Sequence, residues 1–158
     1  MRSRMFFADV VNSGTVPALE KVLAFTEARQ RMLAENIANV DTPNYRTKQL
    51  DVAAFQGALR TALDDRRQSG SSRTRRGAES EALCLPANSQ FWQDDQGRLV
   101  VQPSEVPAEN LLFHDDTNAR IERQMAMMAE NTMMHQAATE LLRSRFDGLL
   151  KAIRGRIG

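Results

Sequence analysis

The chain has 158 residues, 42% apolar and 26% charged, which suffices for one domain and not comfortably for two. Twenty-one basic residues against 20 acidic ones leave a net charge of +1, which argues against a dedicated nucleic-acid binder. A single cysteine, Cys84, excludes an internal disulfide, and no apolar run approaches the ~20 residues that span a bilayer.

Residues 1–16 read as an N-terminal extension. Arg2, Arg4 and the apolar run Met5–Ala8 imitate the start of an export signal, but Asp9 interrupts the run, so no cleavable signal is expected. Residues 17–63 read as a helix, a turn and a short second helix. Leu19, Leu23, Thr26, Gln30, Leu33, Ile37 and Val40 alternate at spacings of four and three. That is a heptad seam, made by a helix that meets another along a narrow stripe. Thr15 suits the N-cap and Pro17 the first turn. Pro43 forces the residue before it into extended geometry and so stops the helix.

Residues 64–117 read as a polar linker. From Asp64 to Gln90 only Leu83 and Leu85 are strongly apolar, too little to offset the entropy of ordering the stretch. Within the linker, Phe91–Gln93 and Arg98–Val101 around the Asp94–Gly97 turn predict a short β-hairpin over residues 91–101. An isolated hairpin is marginal in water, so this one is expected to lean on another element. Residues 118–158 read as the C-terminal helix. Ile121, Met125, Met128, Thr132, His135, Thr139, Leu142, Phe146, Leu149 and Ile153 keep the four-three rhythm. Asp116 or Thr117 caps its start, and Gly155 sits where a left-handed residue closes a helix. The fold class expected is all-α. Two seam helices joined by a polar linker have little interior, and the scarce aromatics speak against a large aromatic core. The chain therefore reads as a subunit completed by its neighbours.

No constellation supports catalysis. His114, Asp115 and Asp116, with His135, have the residue types of a hydrolytic metal site. However, His135 falls on the seam and the acids suit a helix N-terminus, so no metal and no cofactor is expected. Cys84 has no neighbour in sequence that would activate it. Arg66, Arg67 and the Arg73–Arg76 cluster lack interleaved aromatics and read as a solvated linker. The Met-rich face of Met125, Met127, Met128, Met133 and Met134 reads as adaptable packing. A small echo links Leu33–Asn36 with Met128–Asn131. Its two asparagines flank the seams, where an amide can bridge helices or cap loop backbone.

Ala28–Gln30, Leu33–Val40 and Asp41–Arg46 resemble the N-terminal signature of bacterial flagellar rod, hook and hook–filament junction proteins. The short Leu50–Phe55 stretch and the modest length are most similar to the proximal-rod, B-type basal-body rod proteins. Ile121–Ala126 and Ala129–Asn131 resemble the closing helix of that family. Asn44 stands where Gly is usual, Asp116–Thr117 where Gly-Asn is usual, and His135 where an aromatic is usual. The resemblance implies subunit-packing roles for Asn36, Asn39, Asp41, Thr42, Pro43, Asn44, Tyr45, Glu122, Met125 and Asn131. It also implies a structural, non-enzymatic role in the flagellar basal body. Copies would associate with themselves, with other rod proteins and with the junction of the membrane ring and export gate. Export would leave no cleaved signal, and neither nucleic acid nor a membrane span would be involved. At the turn, Pro43 presets the first central position and Asn44 tolerates the geometry of the second, while the Tyr45 hydroxyl offers one hydrogen bond.

The resemblance further implies that the end helices lie side by side, as an antiparallel coiled coil joined by a mostly irregular linker with the hairpin. Setting Thr26 and Gln30 opposite Thr132, His135 and Thr139 lets polar seam groups satisfy one another. That register puts Gln30 near Thr132–His135, Val40 near Arg123 and Pro17 near Phe146. The end of the last helix then overhangs, free to meet Met5–Val11 or a neighbouring subunit. A coiled-coil adaptor with an Arg-rich nucleic-acid-binding arm is the competing class, and a metal-dependent hydrolase the third.

Overall fold

A computed structural model describes residues 15–72, 83–106 and 116–155. In chain order these form α1 (Val16–Ala38), β1 (Lys48–Gln49), α2 (Val52–Ser72), β2 (Phe91–Gln93), β3 (Leu99–Val101), β4 (Ser104–Glu105) and α3 (Asp116–Arg154). The architecture is mainly helical. The N-terminal helix packs along the C-terminal one, as expected of an all-α fold with a short hairpin.

Pro17 sits in the first turn of α1, where its missing N–H costs nothing. Thr15 takes the cap position but makes no side-chain capping bond. The helix ends at Ala38, with Asn39 as C-cap, slightly before the predicted Val40. Hydrogen bonds from α1 to α3 fix the relative direction of the two. Thr26 pairs with His135, Gln30 with Asn131 and Asn36 with Gln124, so partner numbers fall as α1 advances. The helices are antiparallel, and the register is displaced from the predicted one by less than a helical turn. Of the polar seam residues, Thr132 and Thr139 donate to Met128 O and His135 O of their own helix at 2.8 Å. A threonine on a helix can satisfy its hydroxyl in this way without a partner helix.

Two expectations are corrected. The first concerns the interior. Phe25 of α1 stacks on Phe55 of α2, with centroids 4.0 Å apart and rings inclined by 3°. Phe91 of β2 meets Phe55 edge-on at 5.7 Å and 88°. Ala18, Met32, Leu33, Leu50, Ala62, Leu83 and Leu85 complete this buried cluster. Three phenylalanines suffice because they converge from three elements, each covering the others' faces and edges. Leu83 and Leu85, assigned to a solvated linker, are buried because extended chain there points alternate residues inward while Cys84 stays exposed. Gln93 pins the segment, accepting from Leu85 N–H at 2.8 Å and donating to Leu83 O at 2.9 Å.

The second correction is the length of α2, which runs past Leu63 through Asp64 to Ser72. Its early turns bury Phe55 and Ala62, and Asp64, Asp65, Arg67 and Gln68 beyond them are exposed. An Asp64–Arg67 pair at 3.6 Å lies on that continuation. Asp51 starts the helix by accepting from Ala54 N–H at 2.9 Å.

The hairpin pairs Phe91 with Val101, Trp92 with Val100 and Gln93 with Leu99. Gly97 takes φ +72° in its turn, a conformation that costs glycine little. Asp94 organises the turn, accepting from the N–H groups of Gln96 at 3.0 Å and Arg98 at 2.8 Å and from Arg98 Nε at 2.9 Å. The hairpin leans on α1, whose buried Lys21 donates to Gly97 O; desolvation holds the Lys21 pKa below its ordinary 10.5. A second antiparallel pairing, not anticipated, joins β1 to β4 through Lys48 with Glu105 and Gln49 with Ser104. At the far end, Gly155 donates to Lys151 O at 2.8 Å without adopting the left-handed φ predicted for it. Among the described residues no helix is long and apolar enough to cross a membrane.

Candidate subunit-packing site

The helix end, the turn and β1 are tied together by one buried amide. Asn36 sits in the last turns of α1 and is 4% exposed. Its Oδ1 accepts from the Tyr45 hydroxyl and from Lys48 N–H, both at 3.0 Å. Its Nδ2 donates to Lys48 O at 2.8 Å and to Gln124 Oε1 of α3 at 3.5 Å. One side chain thus pairs like a strand with Lys48, clamps the tyrosine and touches the opposite helix. Lys48 Nζ donates to Glu35, and this bond holds the lysine pKa above 10.5. Desolvation first, then the nearby Glu35 carboxylate, pushes the Tyr45 phenol above 10.0.

Between Asn36 and Tyr45 the chain turns twice. Asn39 Nδ2 donates to Glu35 O at 2.9 Å, and Thr42 N–H donates to Asn39 O at 3.0 Å. Thr42 Oγ1 reaches Asn39 Oδ1 at 3.3 Å. Tyr45 N–H donates to Thr42 O at 3.2 Å, closing a turn whose central residues are Pro43 and Asn44. Asn44 has φ +61°, the left-handed region that asparagine tolerates better than most residues. Asp41, Thr42, Pro43 and Asn44 are all exposed, so the turn is a rigid knuckle presented to solvent on a buried foot.

Asn131 plays the reciprocal part on α3. It is 1% exposed, and its Nδ2 donates to Thr26 O and Gln30 Oε1 of α1, both at 2.9 Å. Beside it Arg29, 6% exposed, reaches Glu130 at 3.6 Å. Arg29 Nη1 and Asn131 Oδ1 are buried with no hydrogen-bond partner among the described residues. Each such atom costs about 1–3 kcal/mol, so this contact is specified by polar geometry rather than by apolar area. Glu122 and Met125 are exposed, as are the small echo residues Ala34 and Ala129.

The remaining sequence candidates fall in different places. Of the seam residues, Leu33 is buried; Leu19, Leu23, Ile37, Ile121, Met128, Leu142 and Leu149 are half-buried; Phe146 and Ile153 are exposed. Sequence reasoning missed a second stripe on α1, formed by Ala18, Val22, Phe25, Arg29, Met32 and Asn36. It keeps the same four-three spacing one residue earlier, and its polar members, Arg29 and Asn36, hid it. His114, Asp115 and Arg73–Arg76 lie outside the described residues. His135 Nδ1 lies 2.9 Å from Thr26 Oγ1, and no cluster able to hold a metal occurs among the described residues.

Residues 23–46, most of α1 and the whole knuckle, match the family described as flagella basal body rod protein. Along most of its length the chain is similar to the flagellar basal body rod protein FlgB of Bacillus subtilis (strain 168). The two are 24% identical over 143 residues, covering 90% of this chain and 95% of the relative. No solved structure matches the chain. Neither finding supports the adaptor or the hydrolase. The match across the knuckle and the similarity along nearly the whole chain thus both point to flagellar basal-body rod proteins as what this chain resembles.

Proposed function

We propose that this chain is a structural subunit of the proximal rod, stacking helically with other rod proteins to carry motor torque toward the hook. The observation that supports the reading best is the knuckle. The family match falls on a turn whose side chains Asp41–Asn44 face solvent, while Asn36 and Tyr45 hold it rigid from beneath. A rigid exposed turn contributes little to the subunit's own core and a great deal to a contact with a neighbour. In this reading Asn36, Asn39, Tyr45 and Asn131 set the geometry, and Asp41, Thr42, Pro43, Asn44, Glu122 and Met125 meet adjoining subunits. The partners are further copies, other rod proteins and the junction between membrane ring and export gate. The rod crosses the periplasm, and the chain reaches it without losing a leader. Electron microscopy of basal bodies carrying a tagged copy tests this. Density for the tag at the rod base, with an intact N-terminus by mass spectrometry, is the expected result. A tag outside the rod, or rods assembled normally without the protein, would overturn it.

A further inference from the structure

The polar contact between α1 and α3 contains one donor and one acceptor that the two helices do not use on each other. Asn131 Nδ2 bonds Thr26 O and Gln30 Oε1, which flank Arg29 on α1, and Arg29 Nη2 reaches Glu130, the residue before Asn131. Arg29 and Asn131 therefore belong to the same few residues of the contact. Both are more than nine-tenths buried, and Arg29 Nη1 and Asn131 Oδ1 have no hydrogen-bond partner among the described residues. The orientation of the amide is fixed by its neighbours. Both hydrogens of Nδ2 are engaged, at 2.9 Å each, and turning the amide over would set Oδ1 against the Thr26 carbonyl oxygen. The open atom of Asn131 is thus an acceptor. The open atom of Arg29 is a donor, since a guanidinium stays charged and accepts nothing.

Chemistry defines what completes such a pair. An anion would accept from Arg29 but would set negative charge against the amide oxygen. A metal ion would suit that oxygen but would be repelled by the guanidinium. A side chain of a neighbouring subunit has no approach, because both atoms are sealed from solvent. A water molecule accepts from the one and donates to the other, and buried polar groups left open by their own chain are where proteins hold such waters. We infer that one buried water bridges Arg29 Nη1 and Asn131 Oδ1. Asn131 then holds α1 at Thr26, at Gln30 and, through the water, at Arg29. The same water gives the buried guanidinium a second partner besides Glu130, whose own side chain is largely exposed.

The test begins with the unmutated full chain. A water held at this point leaves more slowly than the protein tumbles. Nuclear magnetic resonance is therefore expected to show cross-relaxation from water to the Asn131 side-chain amide protons, with the sign of a bound water rather than of chemical exchange. Absence of that signal would overturn the assignment. Oxygen-17 relaxation dispersion then counts long-lived waters in the parent and in Arg29→Met, which keeps an apolar stem in the contact and removes the donor. The variant is expected to lose one long-lived water. An equal count in the two proteins, with the variant folded by circular dichroism, would overturn the bridge equally. Should Arg29→Met fail to fold, the cross-relaxation in the unmutated chain decides alone.

Discussion

A single amide, Asn36, does three jobs that a hydrophobic residue could not. It replaces a strand neighbour for Lys48, anchors the Tyr45 hydroxyl and touches Gln124. Removing it leaves buried polar groups without partners, so Asn36→Ala is expected to cost about 2–3 kcal/mol in urea unfolding, and Tyr45→Phe about 1 kcal/mol. The two also differ in pH dependence. Burial holds the Tyr45 phenol above 10.0 in the folded state, so the folded protein keeps that proton longer than the unfolded chain. Stability from this group is complete below pH 10.0 and is lost as pH rises through the higher folded value. Tyr45→Phe should flatten that alkaline decline, read as unfolding midpoint against pH; an unchanged decline would exclude Tyr45 as its source. The turn chemistry of Pro43 and Asn44 was legible because it is local: fixed φ in one residue, tolerance of positive φ in the next. The burial of Asn36 was not, since its partners come from β1 and α3.

At the scale of elements, α1 is a helix with two working stripes. The one read first meets α3 through Thr26 and Gln30. The other joins the buried cluster through Phe25 and Met32 and reaches α3 through Arg29 and Asn36, and these two polar residues among its six positions disguised it. The hairpin itself was legible from alternating residues around a glycine, but its attachment through Phe91, Gln93 and Lys21 was not. The hairpin turn depends on Asp94, whose carboxyl lies below its ordinary 3.8 chiefly because Arg98 N–H donates to it, with further help from the Arg98 side chain. A depressed carboxyl contributes stability above pH 3.8 and loses it as pH falls through the lower folded value. Asp94→Asn should therefore be less stable than the parent at neutral pH and approach it in acid. Parallel curves across that range would show that the carboxylate charge has no part in holding the turn.

The whole molecule combines a small aromatic core, built along α1 from Ala18 to Leu33, with a long helix pair joined by polar contacts. The side-by-side pairing of the end helices was implied by the family resemblance, and a returning chain makes it antiparallel. Its register was read to within a turn because Thr26 does meet His135, and Gln30 meets Asn131, which flanks the seam. What stayed hidden was the interior, since Leu83 and Leu85 acquire burial only when Phe55 and Phe91 converge on them from distant positions. This division locates the knuckle outside both sources of stability. Pro43 is exposed, donates no hydrogen bond and touches no residue of the aromatic cluster, so Pro43→Ala should lower subunit stability by no more than about 1 kcal/mol, through added freedom of the unfolded chain. Its effect in the cell should be far larger if the knuckle is a contact between subunits. A chain with Pro43→Ala is expected to be synthesised normally while rod yield and swimming fall, measured by basal-body counts and motility in soft agar. Normal rods and normal swimming would place the contact surface elsewhere. A fall in the amount of protein instead would make Pro43 a folding residue, against its exposed position in the turn.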